Sequence, residues 1–342
     1  MEENTPAGSQ THPPMSEILP EVSVILPSWN VTEYIGAALD SVLSQTFQNF
    51  EIVVVNDGCP DTQALERVLE PWHSRIRYIK QANKGLSGAC NTAVQAARAP
   101  LILHHDPDDL LEPSCLAEQV CFMREHPDYD AAYCNSFLFG EGPLAGRQWM
   151  DVYPSTGQVS FVSVMESRTC PTNPGSIIRR DTLLRIGLYD ESLRSWEDFD
   201  VWIRILKADP PGKIGYNTRP LTRYRQRIDS LTKHSRYMEY ALTVLEKAAR
   251  EFDLSPEETD ALRRRTELVR NDVETLRGKR AIGERRWKDA LQSFEYCQQY
   301  RPAGKTQVVL SLLRTLPWVL PAGMRAWDYY LERRIRRDKG TA

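Results

Sequence analysis

Four short runs that read as strands, at residues 22–26, 50–55, 75–79 and 101–103, recur about every 25 residues, and each ends in a polar loop. Between them lie stretches of helical character. In 33–44, Ile35, Ala38, Leu39, Val42 and Leu43 fall at helical spacing, with Thr32 placed as an N-cap. A second helix is expected from residue 62, and a third, rich in small residues, ends near Arg98. Alternation of strand and helix at this spacing is the pattern of a largely parallel α/β sheet with helices on both faces. Such sheets bind ligands at the carboxyl ends of their strands. The loops at 27–30, 56–61, 83–91 and 104–109 all lie near such ends, so they should converge in space.

The fourth loop carries the most unusual chemistry. Asp106, Asp108 and Asp109 follow the strand, with Pro107 among them. Side chains two apart in extended backbone point the same way, so Asp106 and Asp108 face one spot. Carboxylates that close repel unless a cation lies between them. A hard divalent ion holding a phosphate would supply it. A solvated acidic turn uses the same residue types, and these residues alone leave both readings open.

Further along, a helix is expected to residue 125, a strand over 131–137, a loop-rich stretch over 140–157 and a short strand near 178. Asp181 reads as the cap of a helix running to 186. Another helix starts at Trp196, with Phe199, Trp202, Ile203 and Leu206 on its apolar face, and a late strand covers 219–225. From residue 237 the character changes to charged helices over 237–252, 256–279 and 283–299, punctuated by Pro256 and Gly278. Residues 287–302 look like half of a tetratricopeptide-type pair, too little for an array.

Composition excludes several classes. A net charge of -3 gives no basic field for nucleic acid. The 7 cysteines form no CxxC pair, which suits free thiols in a reducing cytosol. Residues 1–20 are polar and read as a disordered lead without the features of a secretory signal. The longest apolar stretch, 308–324, is broken by Arg314, Pro317 and Pro321, so it does not span a membrane. The basic stretch 331–339 follows Trp318, Trp327, Tyr329 and Tyr330. It reads either as a peripheral contact with an anionic membrane or as a solvated tail.

Taken together, the loops resemble the family-2 glycosyltransferases of GT-A fold. The resemblance covers roughly residues 22–232 and rests on ordered blocks. These are VSVILPSWN at 22–30, SVLSQT at 41–46, EIVVVNDGCPD at 51–61, NKGLSGACN at 83–91, the Asp-Pro-Asp-Asp cluster, and EDFDVWIR at 197–204. The resemblance implies an α/β GT-A domain over 21–235 and an all-α extension over 236–342. It also implies inverting transfer of one sugar from a nucleotide-diphospho-sugar, with a UDP-sugar first in line, to a glycan or lipid-linked acceptor. The setting it suggests is surface polysaccharide or glycolipid synthesis at the cytoplasmic face of a membrane.

The site residues follow from the same match. Asp57 falls at the nucleobase carboxylate, although an Asx-turn before Gly58 would also use it. Trp29 stands where the family usually has Tyr beside the base. Pro27 and Glu33 match positions around the nucleoside, and Lys84 and Asn91 lie near the phosphates. Asp108 matches the main metal ligand of the DxD motif, for Mn²⁺ or Mg²⁺, with Asp106 beside it, nearer the sugar or ribose. Asp198 matches the catalytic base, with an N-terminal helix cap as its structural alternative. Glu197 and Trp196 fall on the acceptor side.

Two departures matter. Many relatives carry a late Tyr-Arg-x-His-x-x-Ser block whose His completes the metal shell, and here Arg227 takes its place. Arginine does not ligate a metal, so either His234 substitutes or Arg227 meets the diphosphate directly. The Gln-x-x-Arg-Trp block of processive synthases is absent, which suits a single addition. A Rossmann dehydrogenase would need a G-x-G-x-x-G after the first strand, where Pro-Ser-Trp-Asn stands. The remaining alternative is a degenerate transferase domain acting as a scaffold.

Overall fold

The computed structural model describes residues 19–227 and 236–321. The expected lead over 1–18, His234 and the basic stretch 331–339 lie outside the described residues. Eight strands form one sheet. They are β1 (Val22–Ser28), β2 (Phe50–Asp57), β3 (Arg77–Gln81), β4 (Leu101–His104), β5 (Leu110–Leu111), β6 (Ala131–Gly140), β7 (Ile177–Arg179) and β8 (Ile214–Gln226). Their order is β3-β2-β1-β4-β7-β6-β8-β5. The first four are parallel, as their spacing predicts. β7 then enters antiparallel to β4 and β6, and β8 runs parallel to β6.

Alternate residues of the central strands enter two cores, so these strands read as continuous apolar runs. Val22, Val24 and Leu26 pack on one face against α1 (Ile35–Leu43), α2 (Thr62–Leu69) and α4 (Cys115–Glu125). Ile25, Val53, Val55 and Ile102 face the other side, toward α3 (Gly85–Ala96) and α8 (Glu197–Leu206). The intervening short helices are α5 (Trp149–Val152), α6 (Phe161–Met165) and α7 (Arg180–Arg185).

The helical region comprises α9 (Tyr237–Glu251), α10 (Pro256–Gly283), α11 (Trp287–Tyr300) and α12 (Gly304–Thr315). Its first half is not a separate body. Ala241, Val244, Leu245, Ala248, Ala261, Leu262 and Val269 join the core beneath the sheet. Ala281, Ile282, Phe294 and Leu310 form a cluster of their own, so the change of core falls within α10.

Three local expectations are corrected. The first helix starts at Ile35 with Tyr34, not Thr32, at its cap position. Asp181 lies inside α7, whose cap position is Arg179. Gly278 does not end a helix. A Cβ there would lie 2.7 Å from the Phe294 ring, so glycine is what lets α11 approach α10. Among the described residues no helix is long and apolar enough to cross a membrane.

Candidate active site

The loops at the carboxyl ends of β1, β2 and β4 do gather along one edge. Asp57, at the end of β2, is buried, and three protein donors already reach its carboxylate. Lys84 N–H (2.8 Å) and Gln81 Nε2 (2.7 Å) donate to Oδ1, and Gly85 N–H (2.9 Å) donates to Oδ2. Asp57 therefore holds the start of α3, a role neither the Asx-turn nor the nucleobase reading foresaw. A carboxylate offers about four acceptor positions, so about one remains for a ligand. Gly58 has φ +64, and a Cβ there would meet Asn83 N at 2.8 Å, which makes glycine obligatory at this turn.

Trp29 is 50% exposed at the tip of β1, ahead of Asn30 at φ 54. Pro27 is buried within β1, and Glu33 and Lys84 are exposed. Asn91 does not face this edge freely. Its Nδ2 donates to Tyr189 O (2.9 Å) and Glu191 Oε1 (3.0 Å), and its Oδ1 accepts from Tyr189 N–H (2.8 Å). A fully engaged amide braces the 189–191 loop, so the expectation of a phosphate contact at Asn91 gives way to a structural one.

After β4 the chain turns and enters β5, where Leu110 pairs with Arg223 and Leu111 with Thr222 of β8. That pairing lays β8's arginines over the aspartates. Asp109 is buried and accepts Arg225 N–H at 2.7 Å. Arg225 Nε donates to Asp108 O at 2.7 Å, and Arg227 Nη1 reaches Asp108 Oδ2 at 3.2 Å. Both guanidinium groups stack on Tyr34, at 4.9 and 4.6 Å. Tyr34 was not singled out from the sequence, since nothing local marks a helix-start tyrosine as an arginine platform.

His104 Nε2 donates to Asp106 Oδ1 at 3.0 Å. Burial pushes the Asp106 carboxyl up, but the His104 ring outweighs it and leaves it below the ordinary value. Asp108 is raised, by burial and then by Asp106, against the pull of Arg227. Asp109 is raised much further, by burial and both neighbouring aspartates.

The opposite wall begins at Trp196, a left-handed residue (φ 65) immediately before α8. Its turn delivers Glu197 and Asp198 to the cleft. Asp198 Oδ1 accepts Phe199 N–H at 2.7 Å, and Oδ2 has no partner among the described residues. Burial raises the Asp198 carboxyl, Phe199 N–H pulls it back, and Asp106 raises it again. That last influence places Asp106 and Asp198 in one electrostatic environment. Burial, then Asp198, pushes Glu197 to about 8, so it is largely protonated at neutral pH.

Two residues from the helical region complete this wall, and neither was foreseen. Tyr237, at the start of α9, stands 5.3 Å from Trp196 between ring centroids. Its hydroxyl is pushed well above its ordinary value by burial and then by Asp198, so it stays protonated. Arg265 of α10 donates from Nη1 to Ser167 Oγ at 3.1 Å, and Ser167 O in turn accepts from Cys170 Sγ at 3.6 Å.

Residues 23–184 match the family described as glycosyl transferase family 2. The chain's fold is GT-A with a helical C-terminal region. A protein of Rickettsia felis named as an uncharacterized glycosyltransferase is 28% identical over 204 residues, 58% of this chain and 33% of that protein. The chain thus spans about a third of the length of such curated relatives. S. aureus TarS 1-349 in complex with UDP-GlcNAc superposes with a TM-score of 0.60 at 19% identity, covering 86% of this chain and 87% of that one. The mannosyltransferase PcManGT from Pyrobaculum calidifontis, in complex with GDP-Man and Mn2+, gives 0.59 at 17% identity, covering 91% and 84%.

Proposed function

We propose that this chain transfers one sugar from a nucleoside-diphospho-sugar to an acceptor hydroxyl, with inversion at the anomeric carbon. The observation that carries the reading is that Asp106, just after β4 and two residues from Asp108, acts electrostatically on Asp198 at the start of α8, whose Oδ2 makes no hydrogen bond among the described residues. Neighbours of this fold that bind UDP-GlcNAc and GDP-Man support a nucleotide-sugar donor. In this reading Trp29 stacks on the base, Asp57 accepts from it, and Pro27 and Glu33 border the nucleoside. Lys84 and Arg227 meet the diphosphate, and Asp106 the ribose or sugar.

Asp198 Oδ2 takes the proton of the acceptor hydroxyl. The acceptor oxygen then bonds to the anomeric carbon as the bond to the diphosphate oxygen breaks, and the nucleoside diphosphate leaves with that electron pair. Glu197, protonated beside Asp198, donates a hydrogen bond that orients the acceptor against Trp196.

Asp106 and Asp108 suit a hard divalent ion, Mn²⁺ or Mg²⁺, as half a shell. The described residues contain no group of three metal-ligating side chains, so the diphosphate would complete the coordination. A bound ion would offset charge on the leaving diphosphate. Arg227, already on Asp108, supplies a second cation at the same place.

We assign the catalytic unit to residues 21–235. Exposed Leu316, Trp318 and Val319 lead toward the basic sequence 331–339, which supports a peripheral contact with an anionic membrane at the cytoplasmic face.

Calorimetric titration with UDP, GDP, CDP and dTDP, each with Mn²⁺ and with EDTA, tests the reading. One nucleotide should bind selectively, more weakly in EDTA, and Arg227→Gln should remove most of the affinity that survives EDTA. Binding of none would return the chain to the scaffold alternative.

A further inference from the structure

The transfer chemistry leaves one half-buried cation without a task. Arg265 Nη1 donates to Ser167 Oγ at 3.1 Å, while its Nε is buried and has no hydrogen-bond partner among the described residues. No ion pair involves it there. Other half-buried cations in the same core are all matched. Arg204 pairs with Asp200, Lys207 with Glu258, and Lys247 with both Asp190 and Asp200. Arg179 is held by carbonyls of Met123, Pro127 and Tyr129. A guanidinium withdrawn from water and given one neutral hydroxyl is poorly compensated. An arriving anion would correct that.

The position says which ligand brings the anion. The groups that act on Arg265 electrostatically are Cys170, Asp272 and Tyr237, and neither Asp106 nor Asp108 is among them. Arg227 serves the donor side, on Asp108. Arg265 belongs instead to the Ser167–Cys170 side, where Cys170 Sγ donates to Ser167 O at 3.6 Å and Trp149 Nε1 to Cys170 O at 3.4 Å; the Trp196 ring, two residues before Asp198, stands 5.3 Å from that of Tyr237, tilted by 46°. Aromatic faces at that spacing suit the apolar face of a sugar ring.

We propose that the acceptor carries an anionic group, a phosphate or a carboxylate, which Arg265 binds while Trp196 and Tyr237 pack on the sugar presented to Asp198. This rests on the transfer reading above and narrows its acceptor class. A guanidinium serves either anion by paired N–H donors, so the two sources must be separated by experiment.

The full chain, saturated with the nucleoside diphosphate it binds, would be titrated with methyl glucoside, methyl glucuronide and glucose 6-phosphate. Tryptophan fluorescence would follow binding. At least one charged probe should bind about 10- to 100-fold more tightly than the neutral one. The tighter of the two identifies carboxylate or phosphate. Arg265→Gln should erase the preference and Arg265→Lys should keep part of it, while the nucleoside diphosphate affinity of both variants matches the parent. Equal binding of all three probes, binding of none, or a preference that survives Arg265→Gln would overturn the proposal and leave Arg265 as a strut to Ser167. If Arg265→Gln fails to fold, the parent's charged-over-neutral ratio and Arg265→Lys still decide. Failure to bind any nucleoside diphosphate is the separate result that defeats the transfer reading itself.

Discussion

Asp198→Asn is expected to lower sugar transfer by about a thousandfold or more while nucleoside diphosphate affinity stays within about twofold, since a positioned base contributes roughly 10²–10⁴ in rate. The amide keeps the shape, and its oxygen can still accept Phe199 N–H, so loss of turnover would report the missing base rather than a lost fold. The parent's pH profile provides a second reading. Burial raises the Asp198 carboxyl, and Asp106 adds to it, so the base loses its charge at a higher pH than an ordinary aspartate. Activity should therefore fall with decreasing pH earlier than a pKa of 3.8 would dictate. Glu197 matters here because, pushed up to about 8 by burial and then by Asp198, it is mostly uncharged at neutral pH. Above that pH its negative charge makes Asp198 a stronger base but removes the donor that orients the acceptor. Full turnover by Asp198→Asn, measured by mass spectrometry of the product, would rule out this base.

Much of this wall was legible in the sequence, because strand spacing and loop residues are local signals. The parallel run β3-β2-β1-β4 and the gathering of its loops follow from periodicity alone. What failed had a common physical cause, since residues were assigned by type where partners decide. Asn91 carries the right amide for a phosphate but faces Tyr189 and Glu191, nearly a hundred residues away. Asp57 proved to anchor α3 as well as to stand at the end of β2, which no reading of the turn alone could reveal. Gly278 reads as punctuation until Phe294 is seen against it. Tyr237 and Arg265 lie in stretches whose pattern says only charged helix. Their contacts with Trp196 and Ser167 come from α9 and α10 packing into the core beneath the sheet, a tertiary fact without local signature.

The same packing makes Lys247 a residue outside the cleft whose loss should cost the fold heavily. Lys247 Nζ lies 2.6 Å from Asp190 and 2.9 Å from Asp200, and Asp200 is 1% exposed on α8, two residues from Asp198. Burial disfavours the ammonium, but Asp190 and Asp200 together raise it above its ordinary value. Lys247→Met keeps the length of the side chain and leaves Asp200 with Arg204 as its remaining cation. Stranding part of a buried carboxylate's compensation should cost about 3 kcal/mol, the lower end for breaking a buried pair. An exposed pair such as Arg270–Glu246 should cost under about 1 kcal/mol when Arg270→Ala removes it. Denaturant unfolding of both variants measures the difference directly. Acid response follows with a definite sign. Burial pushes Asp190 up, yet Lys247 and Ser192 bring it down to about 2, below its ordinary 3.8. The parent thus draws full stability from Asp190 above pH 3.8 and loses it as pH falls toward 2, whereas Lys247→Met should show a smaller acid-linked loss, the part that the Ser192 hydrogen bonds maintain. Because α8 carries Asp198 at its start, the variant should also transfer sugar more slowly while binding nucleotide normally. Equal unfolding midpoints for Lys247→Met and Arg270→Ala would mean that α9 does not hold the catalytic helix in place.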